Sequence, residues 1–225
     1  MVVLKYDADD AVPMFCGIDE AGRGPVMGPM VVAAVFVDDD APLNRIGVRD
    51  SKKLSPAVRE RMFDEIMAVA GSRIVMISAE DIDSKRMNRS MNEIELQMFA
   101  DSVQGMKVSR VYADCPDVSE ASFASSLSLR LNGTKVIAKH RADDIYPVVS
   151  AASILAKVTR DRCMDAIAKE FGADIGSGYP SDPATTEFIG NWIKENGNAP
   201  PHTRCSWETV RKMMTVSMNR KITDW

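Results

Sequence analysis

Apolar residues follow two patterns along this chain, and each pattern predicts its own kind of element. Short apolar runs bounded by turn residues predict strands, and a turn rich in glycine and proline joins the first two. The five predicted strands cover residues 14–18, 30–37, 73–78, 110–113 and 135–138. Apolar residues spaced three and four apart predict helices between and after these strands.

Two of the predicted helices have recognisable starts. Ser55-Pro56 supplies an N-cap followed by proline at the first helical position, and this helix is expected to end at Gly71. Ser90 with Glu93 forms a capping box ahead of a second helix. Further helices are predicted over residues 150–171, 183–196 and 206–217, the last two after the turn-rich segment 176–183.

The order of these elements predicts the fold class. Strands come first and helices gather at the end, so we predict an α/β fold in which a mixed sheet is flanked by helices. A helical C-terminal subdomain would follow the core. We place the boundary between residues 1–175 and residues 176–225, within one continuous unit.

Composition favours a single globular domain with a small extension. The chain has 225 residues, of which 45% are hydrophobic and 27% are charged. No apolar run approaches the ~18 residues of a membrane span, and no basic segment followed by an apolar core marks a signal peptide. We therefore expect a cytoplasmic protein that has no membrane partner.

Cysteine and histidine usage limits the kinds of metal site. The four cysteines are scattered without a Cys-x-x-Cys spacing, so a zinc site or a disulfide framework is not expected. Only two histidines are present, His140 and His202, which excludes a histidine-rich cage for a transition metal. A metal ion in this protein would be bound by carboxylates.

The distribution of charge leaves two interpretations open. The net charge is −4, yet residues 203–225 carry five basic residues against two acidic ones. A second basic cluster comprises Lys135, Lys139, His140 and Arg141. These charges are either ordinary solvated side chains or a local surface for nucleic acid.

Acidic residues recur where apolar strands end. Asp19-Glu20 ends the first strand, Asp114 follows the fourth, and Asp143-Asp144 follows the fifth. Clustered carboxylates repel one another by about 1 to 4 kcal/mol per pair, so bound cations would have to neutralise them, and Mg²⁺ or Mn²⁺ suits oxygen ligands. Neighbouring residues on a strand point to opposite faces, so we expect the strand to break into a turn at Asp19-Glu20. One of Asp143 and Asp144 would complete the set.

A glycine-rich turn follows the first pair of acids. Gly22 and Gly24 let the backbone approach a ligand closely, and Arg23 offers a forked donor that matches a phosphate group. The alternative is a solvated strand end that turns at glycine.

Six motifs in a fixed order carry a family resemblance over almost the whole chain. They are Gly17-Ile18-Asp19-Glu20-Ala21-Gly22-Arg23-Gly24-Pro25, Arg49-Asp50-Ser51-Lys52-Lys53-Leu54, Tyr112-Ala113-Asp114, Lys139-His140-Arg141-Ala142-Asp143-Asp144, Tyr146-Pro147-Val148-Val149-Ser150-Ala151-Ala152-Ser153 and Gly176-Ser177-Gly178-Tyr179-Pro180. Together they resemble the type 2 ribonucleases H, the archaeal form of ribonuclease HII in particular. Arg141 stands where lysine is common in that family.

The resemblance implies a ribonuclease H-like fold and an enzyme that cleaves RNA in RNA–DNA hybrids, including a single ribonucleotide within duplex DNA. Two Mg²⁺ or Mn²⁺ ions about 3.5 to 4 Å apart would act in the hydrolysis, which leaves 5′-phosphate and 3′-hydroxyl ends. The implied catalytic and metal-binding residues are Asp19, Glu20, Asp114 and Asp143, with Asp143 preferred over Asp144.

The resemblance also implies substrate-binding residues. Gly22, Arg23 and Gly24 match the segment that recognises the ribonucleotide, and Tyr179 matches a tyrosine that stacks on the neighbouring sugar. Lys52 and Lys53 match a segment near the phosphate backbone, and the basic C-terminal helices would bind the duplex. His140 either contacts phosphate or is structural.

Competing interpretations and partners complete these expectations. Another nuclease of the same superfold, such as a type 1 ribonuclease H or a resolvase, would share the acids but not the Gly-Arg-Gly and Gly-Tyr-Pro motifs. A non-catalytic hybrid-binding module is a second alternative. We expect a monomer whose partners are RNA–DNA hybrids and ribonucleotide-containing DNA, with roles in repair and replication. No sliding-clamp motif is recognised in residues 219–225.

Overall fold

The structure is a computed structural model that describes residues 2–3, 14–48 and 54–223, with side chains described for residues 14–48 and 54–216. Lys52 and Lys53 lie outside the described residues. The described strands are β1 (Val2–Val3), β2 (Phe15–Ala21), β3 (Met30–Val37), β4 (Gly71–Ile77), β5 (Arg110–Asp114) and β6 (Lys135–Lys139). The described helices are α1 (Ala41–Ile46), α2 (Pro56–Val69), α3 (Ala79–Arg86), α4 (Met91–Val103), α5 (Glu120–Arg130), α6 (Ala142–Ile145), α7 (Pro147–Phe171), α8 (Pro183–Asn196) and α9 (Glu208–Thr223).

The strands form one mixed sheet in the order β1-β4-β3-β2-β5-β6. Strand β2 pairs with β3 in the antiparallel direction along its whole length, from Phe15↔Val37 to Ala21↔Val31. On its other side, β2 is parallel to β5, and β5 is parallel to β6. The predicted α/β fold with a mixed sheet and flanking helices is therefore confirmed.

The structure corrects the predicted end of strand β2. The sequence predicted a strand that ends at Ile18 and breaks at Asp19-Glu20, whereas β2 continues in register through Asp19↔Ala33 and Glu20↔Val32. The left-handed turn begins later, at Gly22, where φ is +87°. The regular ladder to β3 extends past Asp19 and Glu20 and keeps both residues extended.

Helix α2 also ends differently from its prediction. The sequence placed its stop at Gly71, but the helix ends at Val69 and Gly71 is the first residue of β4. Its start is as predicted, because the Ser55 side chain accepts a hydrogen bond from the Val58 N–H and Pro56 follows. The capping box of Ser90 and Glu93 is confirmed at the start of α4.

The C-terminal helices lie close to their predicted positions. Helix α8 has the predicted bounds, α7 begins three residues before the predicted start at Ser150, and α9 covers Glu208–Thr223. None of the described helices is long and apolar enough to cross a membrane.

The described residues form two compact units, each with its own apolar core. The first unit contains residues 2–3, 14–21, 31–48, 54–76 and 90–159, and the second contains residues 22–30, 77–89 and 160–223. In the first unit, β3 is buried along its full length and packs with α2 and the first half of α7. In the second, Val26, Met27, Ile189 and Val210 belong to a separate apolar cluster. The predicted boundary between residues 175 and 176 stays a prediction.

Candidate active site

Three acidic side chains converge in the first unit where two parallel strands stop pairing. The last residue pair that joins β2 to β5 is Ile18↔Ala113, and Asp19, Glu20 and Asp114 follow it directly. Each of these three acids offers one carboxylate oxygen, and the three oxygens lie within 4.8 Å of one another. We call this group the acid cluster. It lies at the carboxyl ends of parallel strands, the usual position of sites in α/β sheets.

Asp19 and Glu20 meet in this cluster although β2 does not break between them. The Asp19 carboxylate turns along its own strand and accepts a hydrogen bond of 2.7 Å from the Glu20 N–H. Within the described residues, the pairing of β2 with β5 ends at Ile18↔Ala113, so both acids follow the last pair of this ladder. The predicted break in the strand was therefore wrong, whereas the two carboxylates do come together.

Burial and mutual repulsion dominate the electrostatics of the acid cluster. Asp19 is only 5% exposed, and burial followed by the charge of Asp114 raises its pKa from 3.8 to about 8. Burial, followed by the charge of Asp19, raises the pKa of Glu20 well above its ordinary value. The Ser153 side chain opposes this trend by hydrogen-bonding Asp19, which favours the charged carboxylate.

These residues fit a hard divalent cation. Carboxylate oxygens are the preferred ligands of Mg²⁺ and Mn²⁺, and a cation would offset the repulsion that raises both pKa values. In addition, the Oε2 atom of Glu20 is buried and accepts no hydrogen bond within the described part of the chain. A bound cation would supply the partner that this oxygen lacks. The cluster can thus hold metal ions that polarise a phosphate and activate water.

Asp143 lies beside the acid cluster, and Asp144 points elsewhere. Asp143 is 4% exposed, and its charge contributes to the raised pKa of Asp19. It is anchored there because the N–H of the preceding residue, Ala142, donates a hydrogen bond of 2.6 Å to Asp114 Oδ1. Asp144 is exposed and forms an ion pair of 2.5 Å with Arg141. The choice of Asp143 over Asp144 as the fourth acid stays a prediction.

Sequence reasoning assigned no role to two residues that act on the acid cluster. Glu95 on α4 is fully buried, and its charge raises the pKa of Glu20. Ser153 on α7 hydrogen-bonds Asp19. The sequence does contain a signal for Glu95, which lies beside Ile94 in the apolar stripe of a predicted helix. A glutamate that is buried in such a stripe usually has a specific partner, since charged residues are rarely buried without one.

The second unit contains the predicted Gly-Arg-Gly turn. At Gly22, a Cβ atom would lie 2.5 Å from Arg160 Nε and 2.6 Å from the Pro29 carbonyl oxygen, so the turn accepts only glycine. Gly24 is exposed, and the nearest atom that a Cβ would meet is Tyr179 Cε1, at 3.8 Å. The structure thus brings the Gly-Arg-Gly and Gly-Tyr-Pro motifs together.

Tyr179 is presented at the surface beside this turn. Its side chain is 41% exposed, and the guanidinium of Arg160 lies 5.4 Å from the centre of its ring. The loop before it is fixed to the turn, because the Gly178 carbonyl accepts hydrogen bonds from the N–H groups of Val26 (2.8 Å) and Met27 (3.2 Å). An exposed aromatic ring held in this way can stack on a sugar or base.

The predicted basic contacts have different outcomes. His140 is exposed, its N–H donates to Glu120, and its Nδ1 atom lies 3.3 Å from the Cys115 carbonyl oxygen. Arg204 was counted with the basic residues of the C-terminal segment, and here the structure corrects the prediction. Its side chain is fully buried and bonds to backbone carbonyls, so it belongs to no duplex-binding surface.

Comparisons with known proteins found one matching family model and many similar sequences. The family model described as Ribonuclease HII matches residues 16–210. Ribonuclease HII from Thermococcus kodakarensis is 50% identical over 202 residues, which cover 88% of each chain.

Two solved structures are similar over nearly the full chain. They are ribonuclease H2 from Pyrococcus horikoshii OT3 (TM-score 0.86, 39% identity, 91% of this chain and 99% of that one) and the PCNA:RNase HII complex from Archaeoglobus fulgidus (TM-score 0.83, 40% identity, 88% and 96%). They confirm the predicted ribonuclease H-like fold.

Proposed function

The chain belongs to the ribonuclease HII family, whose members are metal-dependent nucleases that cleave the RNA strand of RNA–DNA hybrids, and we propose that it also cuts on the 5′ side of single ribonucleotides embedded in duplex DNA. The proposed reaction is phosphodiester hydrolysis assisted by two ions of Mg²⁺ or Mn²⁺, and it leaves 5′-phosphate and 3′-hydroxyl ends. The observation that carries the hydrolytic part is the acid cluster, with its three carboxylate oxygens within 4.8 Å.

We assign the metal-binding and catalytic roles to Asp19, Glu20, Asp114 and Asp143. When bound, the metal ions supply Lewis-acid stabilisation of the phosphate and lower the pKa of a water molecule that attacks it. Asp19 and Glu20 would present their carboxylate oxygens to the metal ions from β2, and Asp114 would do so from β5. The hydrogen bond from the Ala142 N–H orients Asp114, and Ser153 orients Asp19.

We assign recognition of the ribonucleotide to the second unit. Backbone groups of Gly22, Arg23 and Gly24 would contact the 2′-hydroxyl, which distinguishes RNA from DNA. Tyr179 would stack on the neighbouring sugar. The support is the proximity of Gly24 and Tyr179. A Cβ atom added at residue 24 would lie 3.8 Å from Tyr179 Cε1. A side chain larger than hydrogen at residue 24 would occupy the space where a ribose could lie against the tyrosine.

The remaining substrate contacts are electrostatic and carry no sequence information. Lys52, Lys53 and His140 would contact the phosphate backbone, which gives affinity that falls with increasing salt. The Archaeoglobus fulgidus relative was solved as a complex with PCNA, whereas no clamp motif is recognised in residues 219–225 here. A monomeric state, a cytoplasmic location and roles in repair and replication also stay predictions.

A duplex with one ribonucleotide tests the proposed function. With Mg²⁺ or Mn²⁺, we expect one cut immediately 5′ of the ribonucleotide and no cut after addition of a chelator. Asp19→Asn should abolish cleavage, and Asp144→Asn is the matched control because Asp144 is exposed and pairs with Arg141.

Two results would contradict the proposal. Cleavage confined to runs of several ribonucleotides would indicate the specificity of a type 1 enzyme. Metal-dependent binding without cleavage would indicate a hybrid-binding module.

A further inference from the structure

A single buried guanidinium holds the Gly-Arg-Gly turn in the second unit. Arg204 is fully buried, and its side chain donates to the carbonyl oxygens of Gly22 (2.6 Å), Arg23 (3.0 Å) and Gly28 (2.9 and 3.1 Å). These four hydrogen bonds span the whole loop from Gly22 to Gly28. One side chain therefore fixes both ends of the segment that we assign to ribose recognition.

The direction of these carbonyl groups determines where the adjacent N–H groups point. In a trans peptide, the C=O and N–H bonds lie in one plane and point in opposite directions. The Gly22 and Arg23 carbonyls point toward the Arg204 guanidinium, so the N–H groups of Arg23 and Gly24 point away from it. Gly24 is exposed, and the Tyr179 ring lies beside it, with Cε1 3.8 Å from the position that a Cβ atom would take at residue 24.

Trp207 extends the same support to the next peptide. Its Nε1–H donates to the Gly24 carbonyl oxygen at 3.2 Å, and its ring lies 5.0 Å from the Arg204 guanidinium carbon. The peptide that follows Gly24 has no N–H, because residue 25 is proline. Consecutive carbonyls from residues 22, 23 and 24 are therefore all bonded on the inner side of the turn.

A guanidinium suits this position better than another cation. Its planar fork presents donors in fixed directions and so can bond several carbonyls at once, whereas an ammonium is a compact point charge. The position is also unfavourable for a charge, since burial and then the charge of Arg160 lower the pKa of Arg204 to about 9. Generic packing would be served better by an apolar side chain, so the directed hydrogen bonds explain the arginine.

We propose that Arg204 is a positioning residue for ribonucleotide specificity, which holds the N–H groups of Arg23 and Gly24 outward beside Tyr179. Trp207 assists by fixing the Gly24 carbonyl. The inference rests on the proposed function, because it assigns a cause to the recognition of the 2′-hydroxyl by this turn. Arg204 acts through the turn and contacts no substrate itself.

The test compares discrimination at the ribose in three variants. Arg204→Lys keeps the charge but loses the fork, and Trp207→Phe keeps the ring but loses the donor. Arg59→Lys is the matched control, because Arg59 is also a buried arginine that donates to a backbone carbonyl, that of Leu54, within the first unit. For each protein, kcat/KM is measured on duplexes whose single modified sugar carries either a 2′-hydroxyl or a 2′-fluorine.

We expect the ratio of the two kcat/KM values to fall at least tenfold in Arg204→Lys and by a smaller factor in Trp207→Phe. It should remain at the wild-type value in Arg59→Lys. The Mn²⁺ concentration for half-maximal activity should stay within twofold of wild type in all three, since the acid cluster is unchanged. A merely structural role would lower both kcat/KM values by the same factor and leave their ratio constant.

Two outcomes separate this inference from the proposed function. A wild-type ratio in both Arg204→Lys and Trp207→Phe, with cleavage of the 2′-hydroxyl substrate by the wild-type enzyme, would overturn the role of Arg204 alone. Failure of the wild-type enzyme to cut that substrate would overturn the proposed function and the inference that rests on it.

Discussion

Replacing Asp19 with asparagine should stabilise the metal-free protein at the same time as it abolishes activity. In the unfolded chain, the Asp19 carboxyl has a pKa near 3.8, whereas burial and the charge of Asp114 raise the pKa to about 8 in the folded protein. At a pH between these two pKa values, the Asp19 carboxyl is ionised in the unfolded chain and protonated in the folded protein. The free energy of unfolding therefore falls as the pH rises from about 4 to about 8, and the asparagine variant lacks this fall.

The magnitude follows from the two pKa values. A change from 3.8 to about 8 corresponds to an upper bound of about 6 kcal/mol, since each tenfold change in an equilibrium is worth about 1.4 kcal/mol. The asparagine weakens the hydrogen bonds that Asp19 accepts from Ser153 and from the Glu20 N–H, at a cost of about 1.5 kcal/mol or more each. We expect a net gain of about 1 to 3 kcal/mol at pH 8, a Tm increase of about 3 to 10 °C.

Thermal and urea unfolding in the presence of a chelator, from pH 4.5 to 8.5, measure this effect. The difference between Asp19→Asn and wild type should be small at pH 4.5 and grow toward pH 8, and Asp144→Asn should show no such growth. Added Mn²⁺ should raise the Tm of wild type more than that of Asp19→Asn, because binding to the folded state alone is stabilising. Equal or lower stability of Asp19→Asn at pH 8 without metal would show that ionisation of Asp19 does not destabilise the folded protein.

Three further predictions concern Gly22 and Tyr179 of the second unit and Ser153 of the first. Gly22→Ala should lower kcat/KM on a single-ribonucleotide duplex at least tenfold and reduce the free energy of unfolding by about 1 to 3 kcal/mol, since its Cβ would lie 2.5 Å from Arg160 Nε; wild-type values for both would contradict the strained turn. Tyr179→Ala should lose more activity on that duplex than on a long hybrid, and equal losses would count against stacking at the junction. Ser153→Ala should raise the pKa of Asp19 further, so metal-dependent activity should require a higher pH; an unchanged pH–rate profile would exclude this hydrogen bond from the site.

The sequence predicted the sheet and the acids because both depend on local patterns. Apolar runs located five strands, and turn chemistry located the starts of α2 and α4. Acids at strand ends predicted the meeting of Asp19 and Asp114, because parallel strands bring their carboxyl ends to one edge. Gly22 and Gly24 predicted a turn, and Gly22 has the positive φ of +87° that favours glycine.

Other features depend on tertiary contacts that local patterns do not contain. Strand β2 extends through Glu20 because β3 pairs with it continuously up to Ala21↔Val31. The pattern of apolar residues within one strand does not show which strand pairs with it. Gly71 resembled a helix stop, yet it opens β4. Arg204 was counted as surface charge, since only the folded chain shows that its donors meet carbonyls from residues far away in sequence. Glu95 was hidden in an apolar stripe for the same reason.

The chemical ends of the products distinguish attack by metal-activated water from attack by the ribose hydroxyl. A duplex with one ribonucleotide is cleaved with Mg²⁺ or Mn²⁺, and the fragments are weighed by mass spectrometry. The proposed nucleophile is a water molecule, activated by metal ions that would be held by Asp19, Glu20, Asp114 and Asp143. Its attack predicts a 3′-hydroxyl on the upstream DNA and a 5′-phosphate on the ribonucleotide. A cut on the 3′ side of the ribonucleotide that leaves a 2′,3′-cyclic phosphate would show attack by the ribose hydroxyl and would exclude water as the nucleophile.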